Sequence, residues 1–326
     1  MERKGINRLF LAIILIHLIV VCILVKTSFM TDMGIITNLI LSESMIMVPG
    51  LIYLLIYSAN KKKAINIQMQ SETETESICE RLGFKKIKMS TFFMLILFTF
   101  MIMPLTTLLN AITMLFVDNT VLFMSGQVLT QPFIVMLFMV AMFGPFCEEF
   151  VFRGIIYGGY RKEGSLFSAV ILSGLLFGLM HMNLNQACYA FVIGIAFALL
   201  VEATGSIFSS ILCHFVFNAQ SVCIMYMANY FMPQIYEEGS ELAQSSTEEL
   251  YITISVYIVI AAITTAIAYC ILSWIAKNEG RTEQLKKALP SKTRKGKNLW
   301  SIALVAGIVL SVAYMAFEIV LTRLIS

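Results

Sequence analysis

Long apolar stretches recur through this sequence, and each is about as long as a membrane-spanning helix, which needs about 20 apolar residues. Nine stretches qualify: 9–26, 36–58, 91–116, 131–158, 166–184, 187–203, 206–229, 251–276 and 299–322. Only 13% of the residues are charged, against about 25% in soluble proteins. The sequence therefore predicts an all-α polytopic membrane protein, a transmembrane helical bundle of eight or nine spans.

The loops between the stretches differ in charge from one side of the membrane to the other. Loops on the side of the N-terminus hold basic clusters, at 61–63, 85–88, 161–162 and 277–297. Loops on the other side hold Asp32, Asp118 and the acidic residues of 237–249. Because basic loops stay in the cytoplasm, we expect a multi-pass protein of the cell membrane with a cytoplasmic N-terminus. The basic loops are also candidate sites for anionic lipid.

The composition excludes several classes of protein. The seven cysteines are scattered and form no C-x-x-C pair, which argues against a disulfide framework or a cysteine zinc site. Basic and aromatic residues are not interleaved, so we expect no nucleic-acid partner.

Few ionisable residues occur inside the apolar stretches, and each costs roughly 2.5–3.5 kcal/mol near the bilayer centre. They are His17, Glu43, Glu148, Glu149, Arg153, His181 and His214, with Glu202 and Glu318 near the ends of stretches. We interpret His17 and Glu43 as buried packing residues outside any catalytic set. Glu43 is expected to be a protonated carboxyl that accepts a hydrogen bond from Ser42 or Ser44.

The fourth stretch contains residues 145–154, which read PFCEEFVFRG. Glu149 and Arg153 are one helical turn apart and can pair, whereas Glu148 points to another face of the helix. One carboxylate of the two therefore has a local partner and the other has none.

Two further polar stripes lie in the fifth and seventh stretches. Phe177 and His181 share one face of a helix, and so do His214 and Asn218. Polar stripes on separate helices can satisfy each other only by converging. We therefore expect a polar pocket inside the bilayer.

The residues of this pocket are suited to hydrolysis by an activated water. The chain has neither a G-x-S-x-G elbow nor an H-E-x-x-H zinc motif. A glutamate in a site of low dielectric can act as a general base, here on the water that attacks a peptide carbonyl. His181 would orient or share that proton, and His214 with Asn218 would donate hydrogen bonds to the oxyanion.

The three motifs, E-E-x-x-x-R, F-x-x-x-H and H-x-x-x-N, resemble those of the CPBP family of intramembrane endopeptidases. The family includes CAAX prenyl proteases and bacterial members linked to bacteriocin processing and self-immunity. The resemblance covers roughly residues 130–225. It implies the following roles: Glu148 as the base beside His181, His214 with Asn218 as the oxyanion site, and Glu149 with Arg153 as a structural or substrate-orienting pair.

The resemblance also implies a division of the chain into three parts. Transmembrane helices and a basic cytoplasmic loop form 1–129, and a catalytic core of about four helices forms 130–230. Residues 231–326 add transmembrane helices with acidic outer and basic inner loops. We expect no cofactor, with zinc on Glu148, His181 and His214 as the alternative.

The sequence leaves three functions to weigh. The first is an intramembrane endopeptidase that cleaves a membrane-associated peptide or membrane protein. Its site would be reached from the cytoplasmic half, since Glu148 precedes the expected helix end at Gly158 by about 15 Å. The second is a non-catalytic bacteriocin immunity or scaffold protein that uses the same cavity. The third, a proton-coupled transporter, is disfavoured because the sequence has no internal repeat.

Overall fold

The computed structural model describes residues 2–27, 33–67, 77–233, 246–290 and 298–325, and no strand occurs among them. The fold is all-α, as predicted. The helices, numbered in chain order, are α1 Arg3–Thr27, α2 Ile35–Ile67, α3 Ile78–Leu82, α4 Met89–Met114, α5 Thr120–Leu129, α6 Phe133–Glu163, α7 Leu166–Met180, α8 Leu184–Thr204, α9 Phe208–Phe231, α10 Thr247–Asn278, α11 Thr282–Ala288 and α12 Ile302–Ile325.

Within those ranges, 8 helices are long and apolar enough to cross a membrane: α1, α2, α4, α6, α8, α9, α10 and α12. The predicted fifth span, 166–184, is the exception. Helix α7 has only 15 residues, about 22 Å of helix at 1.5 Å per residue, which is less than the thickness of a bilayer core. It ends early because Met182 adopts a left-handed conformation, φ 53°, and Asn183 then caps α8.

The helix ends that carry basic loops meet at one end of the bundle. Lys88 donates a hydrogen bond to the carbonyl of Asn278. Arg161 Nη2 lies 2.9 Å from the Glu202 carboxylate, and Arg281 Nε donates to the Glu202 carbonyl at 2.8 Å. We call this end, defined by Lys88, Arg161 and Arg281, the basic end, and the opposite one the far end.

Three of the described acidic residues lie at the far end. Asp118 follows the last turn of α4, and Glu248 and Glu249 lie in the first turn of α10. The other charges used in the topology prediction lie outside the residues whose side chains are described: Asp32, 61–63, 237–241 and 291–297.

Helices α7 and α8 pack unusually closely because glycines face each other. A Cβ placed on Gly178 would lie 2.5 Å from the Ala187 carbonyl oxygen, and one on Gly194 would lie 2.8 Å from the Gly174 Cα. Such distances leave no room for a side chain. The contact therefore fixes the far-end tip of α7, where His181 follows the last helical residue.

Candidate active site

Glu149 and Arg153 form a buried ion pair behind the site. Glu149 Oε1 lies 3.0 Å from Arg153 Nη1, and both side chains are almost fully buried. The guanidinium lies over the Phe177 ring at 4.1 Å and over the Phe197 ring at 5.3 Å. The cation is thus held by one carboxylate and two aromatic faces, an arrangement that stabilises a desolvated charge.

His214 lies between the two adjacent glutamates. Its Nδ1 is 3.0 Å from Glu149 Oε1, a hydrogen bond in which the ring nitrogen donates to the carboxylate. Its Nε2 lies 3.7 Å from Glu148 Oε2, too far for a direct hydrogen bond. Glu148 Oε2 has no hydrogen-bond partner among the residues described. One carboxylate is therefore fixed by a histidine and an arginine, and its neighbour is not.

Asn218 is held by an irregular turn of α6. Residues Leu137–Phe143 form π-helical turns, so the N–H of Gly144 bonds back to Met139, five residues earlier. Pro145 has no N–H and cannot use the next carbonyl, that of Val140. Asn218 Nδ2 donates to that carbonyl at 2.9 Å, which leaves the second amide hydrogen for another acceptor.

Phe177 connects the histidines of the site. Its ring meets His181 edge-on at 5.4 Å and His214 at 5.9 Å, centroid to centroid. Arg153 covers one face of the same ring. The sequence placed Phe177 and His181 on one helix face, but this central position between three motif side chains was not predicted. Its signal in the sequence is the F-x-x-x-H spacing.

The four residues predicted to be catalytic line one cavity of about 540 Å³: Glu148, His181, His214 and Asn218. Glu149 and Arg153 are absent from its lining and lie behind it. The structure thus brings the predicted set together and separates it into residues that face the cavity and residues that support it.

The residues of this site fall within a segment that matches a known protein family. Residues 130–220 match the family model of Rce1-like proteins, type II CAAX prenyl endopeptidases. We call these residues, which resemble the CPBP family of intramembrane proteases, the CPBP segment. The chain is also 31% identical over 84 residues to the "Putative membrane peptidase YdiL" of Bacillus subtilis (strain 168). That alignment covers 26% of this chain and 34% of the relative, about a third of its length. No solved structure matches the chain.

The CPBP segment runs from just before α6 into α9 and contains every motif residue named above. Two ionisable residues outside it also face the cavity, namely Glu43 and His17. His17 packs edge-on against Tyr314 at 6.4 Å between ring centroids. The sequence interpretation placed both outside the catalytic set, and their exposure to the cavity comes from the packing of α1 and α2 against the CPBP segment.

Glu43 differs from its prediction in one respect. It is buried, as expected, but its Oε2 has no hydrogen-bond partner among the described residues. Ser44 donates instead to the carbonyl of Ile40 at 2.6 Å, the usual backbone bond of a helical serine. The other carboxylate oxygen lies against α6, where a Cβ on Gly144 would be 3.3 Å from it.

The cavity lining on α2, α6 and α8 lies between the middle of the bundle and the far end, whereas on α9 it runs from His214 to Ser221, around the middle of that helix. Helix α6 continues to Glu163 rather than ending near Gly158, so Glu148 is at its midpoint. The α6 residues that line the cavity, from Met139 to Glu148, belong to the far-end half. The expected distance from Glu148 to the end of its helix, ten residues, is thus fifteen residues in the structure, and the side from which the site is reached stays a prediction.

The alternative of a zinc ion on Glu148, His181 and His214 does not fit these side chains as they stand. Among the residues described, no three His, Cys, Asp or Glu side chains are placed to hold a metal ion. Zinc ligands approach the ion to about 2.0–2.2 Å, and no three of the described side chains converge in this way.

Proposed function

We propose that this chain is an intramembrane endopeptidase that hydrolyses a peptide bond of a membrane-associated peptide or membrane protein with water activated by Glu148. One observation carries the proposal: of two neighbouring buried glutamates, Glu149 is locked in an ion pair and Glu148 faces the cavity beside an imidazole. A carboxylate kept without a partner in a desolvated site is suited to take a proton.

The proposed reaction balances without a covalent intermediate. The Glu148 carboxylate removes a proton from water as the water oxygen bonds to the peptide carbonyl carbon. The carbonyl oxygen gains negative charge, and the protonated glutamate then delivers its proton to the leaving amine as the C–N bond breaks. The products are a carboxylic acid and an amine, which become a carboxylate and an ammonium by proton exchange, and Glu148 returns to its starting form.

The oxyanion would be stabilised by His214 and Asn218. Glu149 orients the His214 ring by accepting a hydrogen bond from its Nδ1 at 3.0 Å, and an Nε2–H on that ring would be the first donor to the oxyanion. The second amide hydrogen of Asn218 is the other donor, because its first is held by the Val140 carbonyl. Removing one such donor typically costs 10²–10³-fold in rate. His181 would orient the attacking water from the tip of α7.

The test uses protein purified and reconstituted in lipid vesicles, incubated with membrane peptides and read by mass spectrometry. Glu148→Gln should abolish cleavage, while Glu283→Gln, a matched change at an exposed residue of α11, should leave it intact. Cleavage that persists in Glu148→Gln would refute the proposal. Activity that is lost on chelation and restored by zinc would refute the expectation that no metal takes part, but not the proposed endopeptidase activity.

A further inference from the structure

The cavity extends from Glu148 in one direction. On α2, which runs from the far end to the basic end, the lining begins at Asn38 and stops at Ile46. On α8 it begins at Gln186, in the first turn at the far end. Met124 of α5, the helix that joins the far ends of α4 and α6, also lines it. The cavity thus reaches from the middle of the bundle to the far end.

Fully buried side chains close the other direction. Val151, Ile155, Tyr157 and Tyr160 follow Glu148 along α6, and none has measurable exposure. Tyr157 donates a hydrogen bond to the buried carboxylate of Glu202 at 2.7 Å. No cavity residue comes from this part of α6. Along α6 itself, this packing closes the way from Glu148 to the basic end.

The polar residues of the lining mark the route. Asn38, Ser42, Gln186 and Ser221 lie on it between the catalytic residues and the far end, and Ser221 is exposed. Amides and hydroxyls are costly in a wall that faces only lipid, because no water is present there to form hydrogen bonds with them. They suit a hydrated path for a peptide backbone.

The charges assign the two ends to sides of the membrane. The described basic residues concentrate at the basic end, whereas Lys26 and Arg323 are the described Lys and Arg side chains near the far end. The positive-inside rule places the basic end in the cytoplasm. The far end, with the cavity, then faces outward.

We propose that the active cavity opens on the extracytoplasmic side, and that the substrates are peptide segments exposed at that face, of secreted or membrane-anchored chains. The cleavage rests on the function proposed above, whereas the direction of opening rests only on the lining and the loop charges. A protein without protease activity would have the same direction of opening. The two proposals therefore fail separately.

Cysteine labelling in intact cells tests the direction. In a variant without native cysteines, single cysteines replace Ser221 in the cavity, Asp118 at the far end and Lys287 at the basic end, all three exposed. A membrane-impermeant maleimide should label the first two in intact cells and the third only after permeabilisation. The experiment is repeated with Glu148→Gln, which should give the same pattern because labelling needs no catalysis.

Three results would overturn the proposal. Labelling of Lys287→Cys in intact cells would invert the orientation. Labelling of Asp118→Cys without Ser221→Cys would show a cavity closed to that face. Cleavage of an added soluble peptide substrate by inside-out vesicles, but not by intact cells, would place the entrance in the cytoplasm. The expected result is cleavage by intact cells alone.

Discussion

The two adjacent glutamates should respond to the same substitution in opposite ways. Glu149→Gln removes the carboxylate that contacts both Arg153 and His214 at 3.0 Å. Glu148→Gln removes a carboxylate whose Oε2 has no hydrogen-bond partner among the described residues. The first change should therefore lower stability, and the second should lower activity with little effect on folding.

The magnitudes follow from burial. Arg153 is almost fully buried, and removing one partner of a buried pair costs about 3–5 kcal/mol because the other charge stays without compensation. At roughly 2–4 °C per kcal/mol, Glu149→Gln should lower the Tm by on the order of 10 °C. Glu148→Gln keeps the shape and removes no hydrogen bond at Oε2, so its Tm should stay within about 3 °C of wild type. Its rate should fall by about 10²–10⁴-fold, the usual contribution of a general base.

The assay combines thermal unfolding in detergent with peptide cleavage at a temperature where both variants are folded. Arg153→Lys serves as a companion variant, because a lysine retains the charge but loses the planar stacking on Phe177. Equal losses of Tm in the two glutamine variants would refute the reasoning. So would a Glu149→Gln protein as stable as wild type, since the ion pair would then contribute nothing to the fold.

Further predictions concern the surroundings of the site. Pro145→Ala supplies an N–H that competes with Asn218 for the Val140 carbonyl. The kcat should therefore fall several-fold with little change in Tm, and an unchanged kcat would contradict this. Gly178→Ala should lower the free energy of unfolding by about 1–3 kcal/mol through overpacking and so lower the Tm. Gly126→Ala should not, because a Cβ there would meet nothing within 4 Å. Equal Tm values for the two variants would show that α7 can shift to make room. Glu43→Gln should alter the pH dependence of cleavage while leaving folding intact, and an identical pH profile would remove Glu43 from the cavity's chemistry.

The sequence predicts most of the architecture because charge inside a bilayer is costly and helices repeat every 3.6 residues. These two facts place Glu149 against Arg153 and put His214 and Asn218 on one stripe, and the structure has both arrangements. They also locate the eight long helices, and the majority of the predicted helix ends lie within a few residues of the observed ones.

Other features depend on the residue at which each helix ends, and a hydropathy pattern predicts helix ends poorly. The end of α7 falls at Met180 because Met182 turns left-handed, within a run that still looks apolar. Helix α6 continues past Gly158 into Arg161 and Lys162, basic residues that favour a helix C-terminus. The depth of Glu148 along α6 therefore differs from its prediction, whereas the four residues predicted to be catalytic do line one cavity.

The irregular turns of α6 set the direction in which side chains at its centre project relative to those at its two ends. Residues Gly144–Glu149 form a short regular segment between two wider turns, Leu137–Phe143 and Phe150–Tyr157. A π-helical turn holds an additional residue and breaks the rotational phase of the helix. The direction in which the glutamates project is thus set by the phase shifts of both wider turns. Converting either turn to a regular α-helix would rotate the glutamates relative to that end of α6 and turn them away from the cavity.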